Sequence, residues 1–393
     1  MLPLVEPGPV LEPERIARYS RQLMLPGFGE DAQRRLRAAR VLVIGAGGLG
    51  SAVVPLLAGT GIGTIGVLDD DRVELSNLPR QLSHGVADVG RLKTESLAET
   101  VRAIDPECDV VLRRERADSA NIVGILSGYD LVIDGSDNFP TRYLINDAAD
   151  LAGKPLIWGS ILRFHGQVGV SWRGRGPTFR DLFPVPPAAD GVLSCELGGV
   201  LPSLCATVGS LLAAETVKIV TGIGDPLIGR VLFYDALAAR TREIAFEASE
   251  DAEPVTGLID YELFCGTRDD TIPSLSAAEL LRRVRSAETV TLYDVREPEE
   301  MRRRRIPGAI ALPLARIESG EEPEHGPVDR PEHGPEHGPE RDGAVVLYCE
   351  RDPRSQRAAR ILRERGHDVS YLVGGIRAYA AVGGRTTGEE EQA

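Results

Sequence analysis

Residues Leu42–Gly50 read Leu-Val-Ile-Gly-Ala-Gly-Gly-Leu-Gly. A short apolar strand running straight into a glycine loop predicts backbone N–H groups that approach a phosphate at a helix N-terminus, where the helix dipole also favours negative charge. Alone, the loop signals only a nucleotide. The next strand, from Ile65, ends in Asp69-Asp70-Asp71, where a carboxylate reaches ribose hydroxyls in the usual NAD-binding arrangement. A NAD-dependent oxidoreductase is therefore open at this point.

Around that loop the pattern alternates: strand 41–44, helix 51–58, strand 65–68, helix 93–104, and strands 110–112 and 131–133. The fold class is α/β, a parallel sheet covered by helices. Residues 173–191, rich in Gly and Pro, read as a long loop, and a helix follows at 202–221. A second strand–helix series begins with helix 277–284, strand 290–293, strand 345–348, helix 355–365 and strand 369–372. It is long enough for an independent, smaller α/β domain of about a hundred residues. The expected division is residues 1–250, a linker at 251–274, and 275–393. Within the last lies a low-complexity loop at about 320–342. Its repeats Glu324-His325-Gly326-Pro327, Glu332-His333-Gly334-Pro335 and Glu336-His337-Gly338-Pro339 read as a disordered surface loop rather than a metal site.

The chain has 393 residues, too many for one core, and 42% are hydrophobic. Its formal net charge of -14 would repel nucleic acid and anionic membrane. The uncharged stretch Leu197–Ala214 approaches a membrane span in length, but Pro202, Ser203, Thr207, Gly209 and Ser210 make it a buried helix. Residues 1–14 lack the basic start and apolar core of a signal peptide. The five cysteines are scattered and odd in number, which does not suggest a disulfide framework. A reducing cytoplasm is the expected compartment.

Nicotinamide chemistry needs neither clustered cations nor a second acidic motif, yet Arg80 and Lys93 follow the acidic strand end. Asp134-Gly135-Ser136-Asp137-Asn138 terminates a later strand of the same sheet. Ligands bind outside the carboxyl ends of parallel strands, so these groups would converge on one crevice. ATP fits them better than NAD. Arg and Lys stabilise charge as the α-phosphate is attacked and pyrophosphate leaves, and a carboxylate-held magnesium, with Asp137 as its candidate ligand, assists.

Together, Arg18-Tyr19-Ser20-Arg21-Gln22, Gly45-Ala46-Gly47-Gly48-Leu49-Gly50, Ser76-Asn77-Leu78-Pro79-Arg80-Gln81, Lys93 and Asp134–Asn138 resemble the MoeB/ThiF family of adenylating enzymes. These are akin to ubiquitin-activating enzymes, and the resemblance covers roughly residues 15–266. It implies a Rossmann-like ATP-binding adenylyltransferase domain and a homodimer that adenylates the C-terminal glycine of a small ubiquitin-like sulfur carrier. By matching motif positions, Gly45, Gly47, Gly48 and Gly50 form the phosphate loop and Asp69 holds the ribose. Asn77, Arg80 and Lys93 contact the phosphates, and Asp137 binds magnesium. Arg21 reaches the neighbouring subunit's nucleotide, with Arg18 its near alternative. Cys195, in Ser194-Cys195-Glu196-Leu197-Gly198-Gly199, matches the cysteine of the family's mobile segment and would attack the acyl group or join a sulfur relay. Many members hold zinc through two C-x-x-C pairs. Here Thr178 and Asp181 stand where the first pair would align, and only Cys265 lies in the region of the second, so no structural zinc is expected.

The second half resembles a rhodanese, through Asp294-Val295-Arg296, Ile306-Pro307-Gly308-Ala309 and Leu372-Val373-Gly374-Gly375. Cys349 ends a strand, and the loop Cys349-Glu350-Arg351-Asp352-Pro353-Arg354 enters a helix whose N–H groups would stabilise a thiolate or persulfide. Arg354 matches the family's loop-closing arginine. Glu350 and Asp352 are expected to oppose thiolate formation, Arg351 to favour it, and Pro353 to remove one donor. Arg305 replaces the family's common histidine before Ile-Pro-Gly-Ala. In this order the halves imply adenylation of a carrier with a C-terminal diglycine, then sulfur transfer from a Cys349 persulfide to give a thiocarboxylate. Sulfur would come from thiosulfate or a cysteine-desulfurase persulfide and serve molybdopterin, thiamine, cysteine or thio-metabolite synthesis. The alternative in the same fold is activation of a ubiquitin-like protein for conjugation.

Overall fold

The computed structural model describes residues 2–187, 199–249, 254–265, 271–286, 288–323, 344–350 and 352–388. They fall into two compact units, one ending at Phe264 and one beginning at Cys265. Cys195, Arg351 and the Glu-His-Gly-Pro repeats lie outside the described residues.

The first unit is built on an eight-stranded sheet of β1 (Arg40–Ile44), β2 (Thr64–Leu68), β3 (Asp109–Arg113), β4 (Leu131–Asp134), β5 (Leu156–Leu162), β6 (His165–Ser171), β7 (Arg230–Asp235) and β8 (Arg240–Ala245), ordered 3-2-1-4-5-6-7-8. β1 pairs in parallel with β2 on one side and β4 on the other, Val43 standing opposite both Val67 and Ile133. Val41, Leu42 and Val43 are fully buried, as a strand covered by helices on both faces must be, which is why it reads as an unbroken apolar run. From β5 onward the sheet turns antiparallel, so the expectation of a wholly parallel sheet holds only through β5. The tight β5–β6 turn places Arg163 at φ +53°. A Cβ at Gly166 or Gly169 of β6 would fall 2.5 Å from Val208 or 2.3 Å from Trp158. Glycines chosen for close packing hide the alternation that would mark a strand.

Helix Pro202–Thr221 has the length and hydropathy of a membrane span, yet it packs on β5, β6 and helix Gly50–Thr60 and buries Leu204, Val208, Leu212 and Ile219. Within the stretch expected as linker, residues 254–264 belong to this unit. Tyr261 is buried there, its hydroxyl donating to Asp147 Oδ2 at 2.7 Å. Arg180 holds the same carboxylate from two nitrogens at 2.8 and 2.6 Å and lies over the Phe264 ring.

The second unit has a five-stranded parallel sheet, β9 (Ser274–Leu275), β10 (Val290–Asp294), β11 (Ile310–Ala311), β12 (Ala344–Tyr348) and β13 (Val369–Leu372), ordered 11-10-12-13-9. Central β12 carries Val346, Leu347 and Tyr348, all fully buried, and delivers Cys349 at its carboxyl end.

Candidate functional site

At the carboxyl ends of β1 and β4 the chain is compressed by glycine. Gly45 adopts φ +89°, and a Cβ there would lie 3.2 Å from the Gly135 carbonyl oxygen. A Cβ on Gly50 would fall 1.9 Å from the Gly45 oxygen, so helix Gly50–Thr60 starts directly against the loop. Gly48 lies against Cys205, whose buried thiol sits above its ordinary pKa because burial disfavours the thiolate. The N–H groups of Gly47, Gly48 and Leu49 have no hydrogen-bond partner among the described residues. They form a cradle for an anion at a helix start.

The acidic end of β2 is tied into this loop. Asp69 Oδ2 accepts from the Ala46 N–H at 2.7 Å and Oδ1 from the Asp71 N–H at 2.8 Å. Burial raises the Asp69 pKa, against the opposing pull of Lys93 and the Ala46 N–H. Buried Lys93 places Nζ 3.0 Å from Asp71 Oδ2, and its backbone N–H donates to the Asp71 carbonyl. Asn77 is buried and caps its own turn through the Glu74 N–H, while Arg80, half-buried, donates to the Ser76 carbonyl. The structure thus links the glycine loop, Asp69, Asp71 and Lys93 in one chain of contacts, with the Asn77–Arg80 turn between β2 and the Lys93 helix.

Asp137 is exposed beyond β4, and Asn138 caps helix Phe139–Leu151 by accepting from the Thr141 N–H. Beneath them Asp134 is fully buried. Its Oδ1 accepts from the Ser136 N–H, whereas Oδ2 and the Ser136 hydroxyl have no hydrogen-bond partner among the described residues. Burial pushes the Asp134 pKa up. Arg142 Nε stands 3.9 Å from Asp134 Oδ2 and supplies the cation there, and no cluster of three or more metal-ligating side chains occurs among the described residues, so a hard cation would have to arrive with the nucleotide and meet exposed Asp137.

Arg21 and Arg18 part company. Arg18 donates to the Ile104 carbonyl, whereas the exposed Arg21 side chain has no hydrogen bond or ion pair among the described residues. Thr178 and Asp181 bond to each other at 2.7 and 3.0 Å, and Asp181 Oδ1 accepts from the Ser249 N–H. This carboxylate thus ties helix Phe179–Leu182 to the segment that follows β8.

His84 is a member of the site that sequence reading missed. It is buried, with Nε2 3.3 Å from the Ala46 carbonyl and Nδ1 2.8 Å from Ser96 Oγ. Ala46 is thus held by Asp69 at its N–H and by His84 at its carbonyl oxygen. Burial, with a smaller contribution from Lys93, lowers the His84 pKa and keeps the ring neutral. The one signal was a histidine four residues beyond Arg80.

In the second unit Cys349 is buried, its Sγ 3.5 Å from Ser355 Oγ in the first turn of helix Pro353–Glu364. Arg354 is electrostatically coupled to the thiol and grips Glu300 through two nitrogens at 2.6 and 2.8 Å. Glu350 is more than an uncompensated negative charge. It accepts from Arg296 at 2.9 Å, Arg304 at 2.8 Å and Arg377 at 3.1 Å. This pairing corrects the expectation that Glu350 simply opposes the thiolate. Asp352 accepts from the Gly374 N–H at 2.6 Å, Gly374 standing at φ +73°.

Comparison with known proteins matches both units to families. Residues 19–255 match the model of the ThiF family and residues 276–382 that of the rhodanese-like domain. The chain belongs to the ThiF family. This ThiF-family chain is 45% identical over 389 residues to a probable adenylyltransferase/sulfurtransferase MoeZ of Mycobacterium tuberculosis, covering 96% of each. It is 36% identical to an adenylyltransferase and sulfurtransferase MOCS3 of Drosophila virilis, covering 94% of this chain and 84% of that one. A sulfur carrier protein adenylyltransferase of Thermus thermophilus is 47% identical over 267 residues, 65% of this chain and 98% of its own length. Among solved structures, E. coli MccB with MccA-N7isoASN shares the fold at TM-score 0.55 and 21% identity, over 61% of this chain and 74% of that one. Neither protein conjugation nor nicotinamide chemistry is favoured by these relatives.

Proposed function

We propose that this enzyme, an adenylyltransferase joined to a sulfurtransferase, activates the C-terminal glycine of a small ubiquitin-like carrier protein with ATP and converts that carboxylate to a thiocarboxylate. The observation that carries the reading is the unpartnered Gly47–Leu49 N–H cradle beside Asp69 and Lys93, joined in one chain to a cysteine at the end of β12. In the first stage the N–H groups and the Arg80 and Lys93 cations bind the phosphates, and Asp69 holds the ribose. The carrier carboxylate attacks the α-phosphorus, the α–β bridging bond breaks, and pyrophosphate leaves. Magnesium, held at Asp137, would supply further charge neutralisation to the leaving group. Arg21 completes the nucleotide site of the neighbouring subunit in a homodimer.

In the second stage the outer sulfur of a Cys349 persulfide attacks the acyl carbon and AMP leaves, giving an acyl disulfide. A thiol, Cys195 or an external one, then attacks Cys349 Sγ. A disulfide forms there and the carrier thiocarboxylate departs. The setting is the cytoplasm, and Cys349 is loaded by thiosulfate or by a cysteine-desulfurase persulfide.

Incubation with ATP, magnesium, a sulfur donor and a diglycine-ended carrier should shift the carrier mass by the exchange of oxygen for sulfur. A carrier that is adenylated but never gains sulfur from any donor would remove the second-stage assignment. Loss of product in Cys349→Ala but not in Cys195→Ala would make the latter cysteine dispensable as a relay.

A further inference from the structure

Ala46 belongs to a closed circuit of contacts that joins the glycine loop to the helix carrying Lys93. Its N–H donates to Asp69 Oδ2, Asp69 Oδ1 takes the Asp71 N–H, and Asp71 Oδ2 lies 3.0 Å from Lys93 Nζ. On helix Lys93–Ile104, Ser96 follows Lys93 by three residues and so shares its face. Ser96 Oγ is 2.8 Å from His84 Nδ1, and His84 Nε2 returns to the Ala46 carbonyl at 3.3 Å. His84, Ser96 and Lys93 are all buried. Burial keeps the imidazole neutral, so it brings one N–H to this circuit. A carbonyl oxygen only accepts, so Nε2 carries that proton and Nδ1 accepts from the Ser96 hydroxyl.

We infer that His84 is a positioning residue for adenylation: its grip on the Ala46 carbonyl aims the Gly47 N–H, and its bond to Ser96 holds that N–H in register with the Lys93 ammonium. The inference rests on the Gly47–Leu49 cradle and Lys93 binding the nucleotide phosphates, as proposed above. The Ala46 carbonyl and the Gly47 N–H belong to one planar trans peptide and point in opposite directions. A donor fixed at the oxygen therefore fixes the direction of the N–H. Charge builds on the leaving pyrophosphate, and donors already aligned with it stabilise that charge without reorganising. A Gly47 peptide free to turn would leave Lys93 and the other N–H groups to attract polyphosphate, but it would meet the transition state out of alignment.

The test follows ATP–pyrophosphate exchange by the full chain with a diglycine-ended carrier present. His84→Gln keeps a donor near the Nε2 position but cannot also reach Ser96, and Ser96→Ala cuts the same link with a smaller change of shape. Each should lower kcat about tenfold, the worth of one hydrogen bond, with the ATP KM moving less than about threefold. In a Lys93→Met background the same changes should cost less than about twofold, because the register they set has lost its second partner. A structural role alone would lower the melting temperature without producing that coupling. Equal losses with and without Lys93, an unchanged kcat in either single variant, or a loss confined to the ATP KM would overturn the inference while leaving adenylation in place. Exchange absent from wild type, or untouched by Lys93→Met, would overturn the nucleotide-site reading and this inference with it.

Discussion

Asp69 accepts a 2.7 Å hydrogen bond from the Ala46 N–H, so the carboxyl end of β2 holds the glycine loop that follows β1. Its other oxygen takes the Asp71 N–H, and Asp71 takes Lys93. Loop, acidic strand end and cation are one connected unit. Asp69→Ala should raise the ATP Kd about 10- to 100-fold, the worth of a charged hydrogen bond lost from both protein and ligand. Calorimetric titration checks this, and a change under about threefold would deny Asp69 its role.

Lys93→Met removes a buried cation without a large change of shape. ATP–pyrophosphate exchange in the presence of carrier should slow about 10²- to 10³-fold, as for loss of one preorganised charge-stabilising group. Exchange near the wild-type rate would show Lys93 to be a partner of Asp71 and nothing more.

His84 makes the first unit sensitive to mild acid. Its folded pKa lies below the ordinary 6.5 because burial disfavours the charged ring. The unfolded chain therefore binds the proton first as pH falls, and stability present above 6.5 is lost as pH drops through the folded value. The first-unit melting temperature should decline over that window, and His84→Gln should flatten the decline. Parallel pH profiles for the two proteins would contradict it.

Gly50→Ala should destabilise the first unit by about 3 kcal/mol, the upper end of overpacking costs, and abolish nucleotide binding. The added carbon would sit 1.9 Å from the Gly45 oxygen. Denaturant unfolding of this variant beside Gly124→Ala, where a Cβ meets nothing within 4 Å, separates the close approach from glycine replacement in general.

Tyr261→Phe deletes a hydroxyl that donates to the buried Asp147 carboxylate. Arg180 remains on that carboxylate, so the cost should be about 1.5 kcal/mol, the low end for a bond to a charged group. Urea titration of the first unit measures it, and no loss would show that residues 258–264 dock without this bond.

The core of the nucleotide fold was legible because β1 and β2 are apolar on both faces and end in glycine and aspartate, a pattern carried by adjacent residues. β6 was not legible, since Gly166 and Gly169, set by Val208 and Trp158 packing against them, stand beside polar His165 and Gln167. Helix Phe139–Leu151 was missed for a related reason. Its buried Arg142, Asn146 and Asp147 look like surface residues until their partners Ser136, Phe179, Arg180 and Tyr261 are in place. At the sites, Asp69, Lys93 and Cys349 announced themselves by motif, and His84 did not.

What the sequence alone determined is which chemical groups follow which strand: glycines after β1, carboxylates after β2 and β4, a cysteine after β12. Local order suffices for that, because strand ends and helix starts are written in neighbouring residues. Only the tertiary structure decided how those charges are spent. Glu350, read in sequence, is a negative charge beside a nucleophile. Folded, it is the shared acceptor of arginines at positions 296, 304 and 377, because electrostatic environment depends on distance in space, and the sheet brings together residues that the chain keeps far apart.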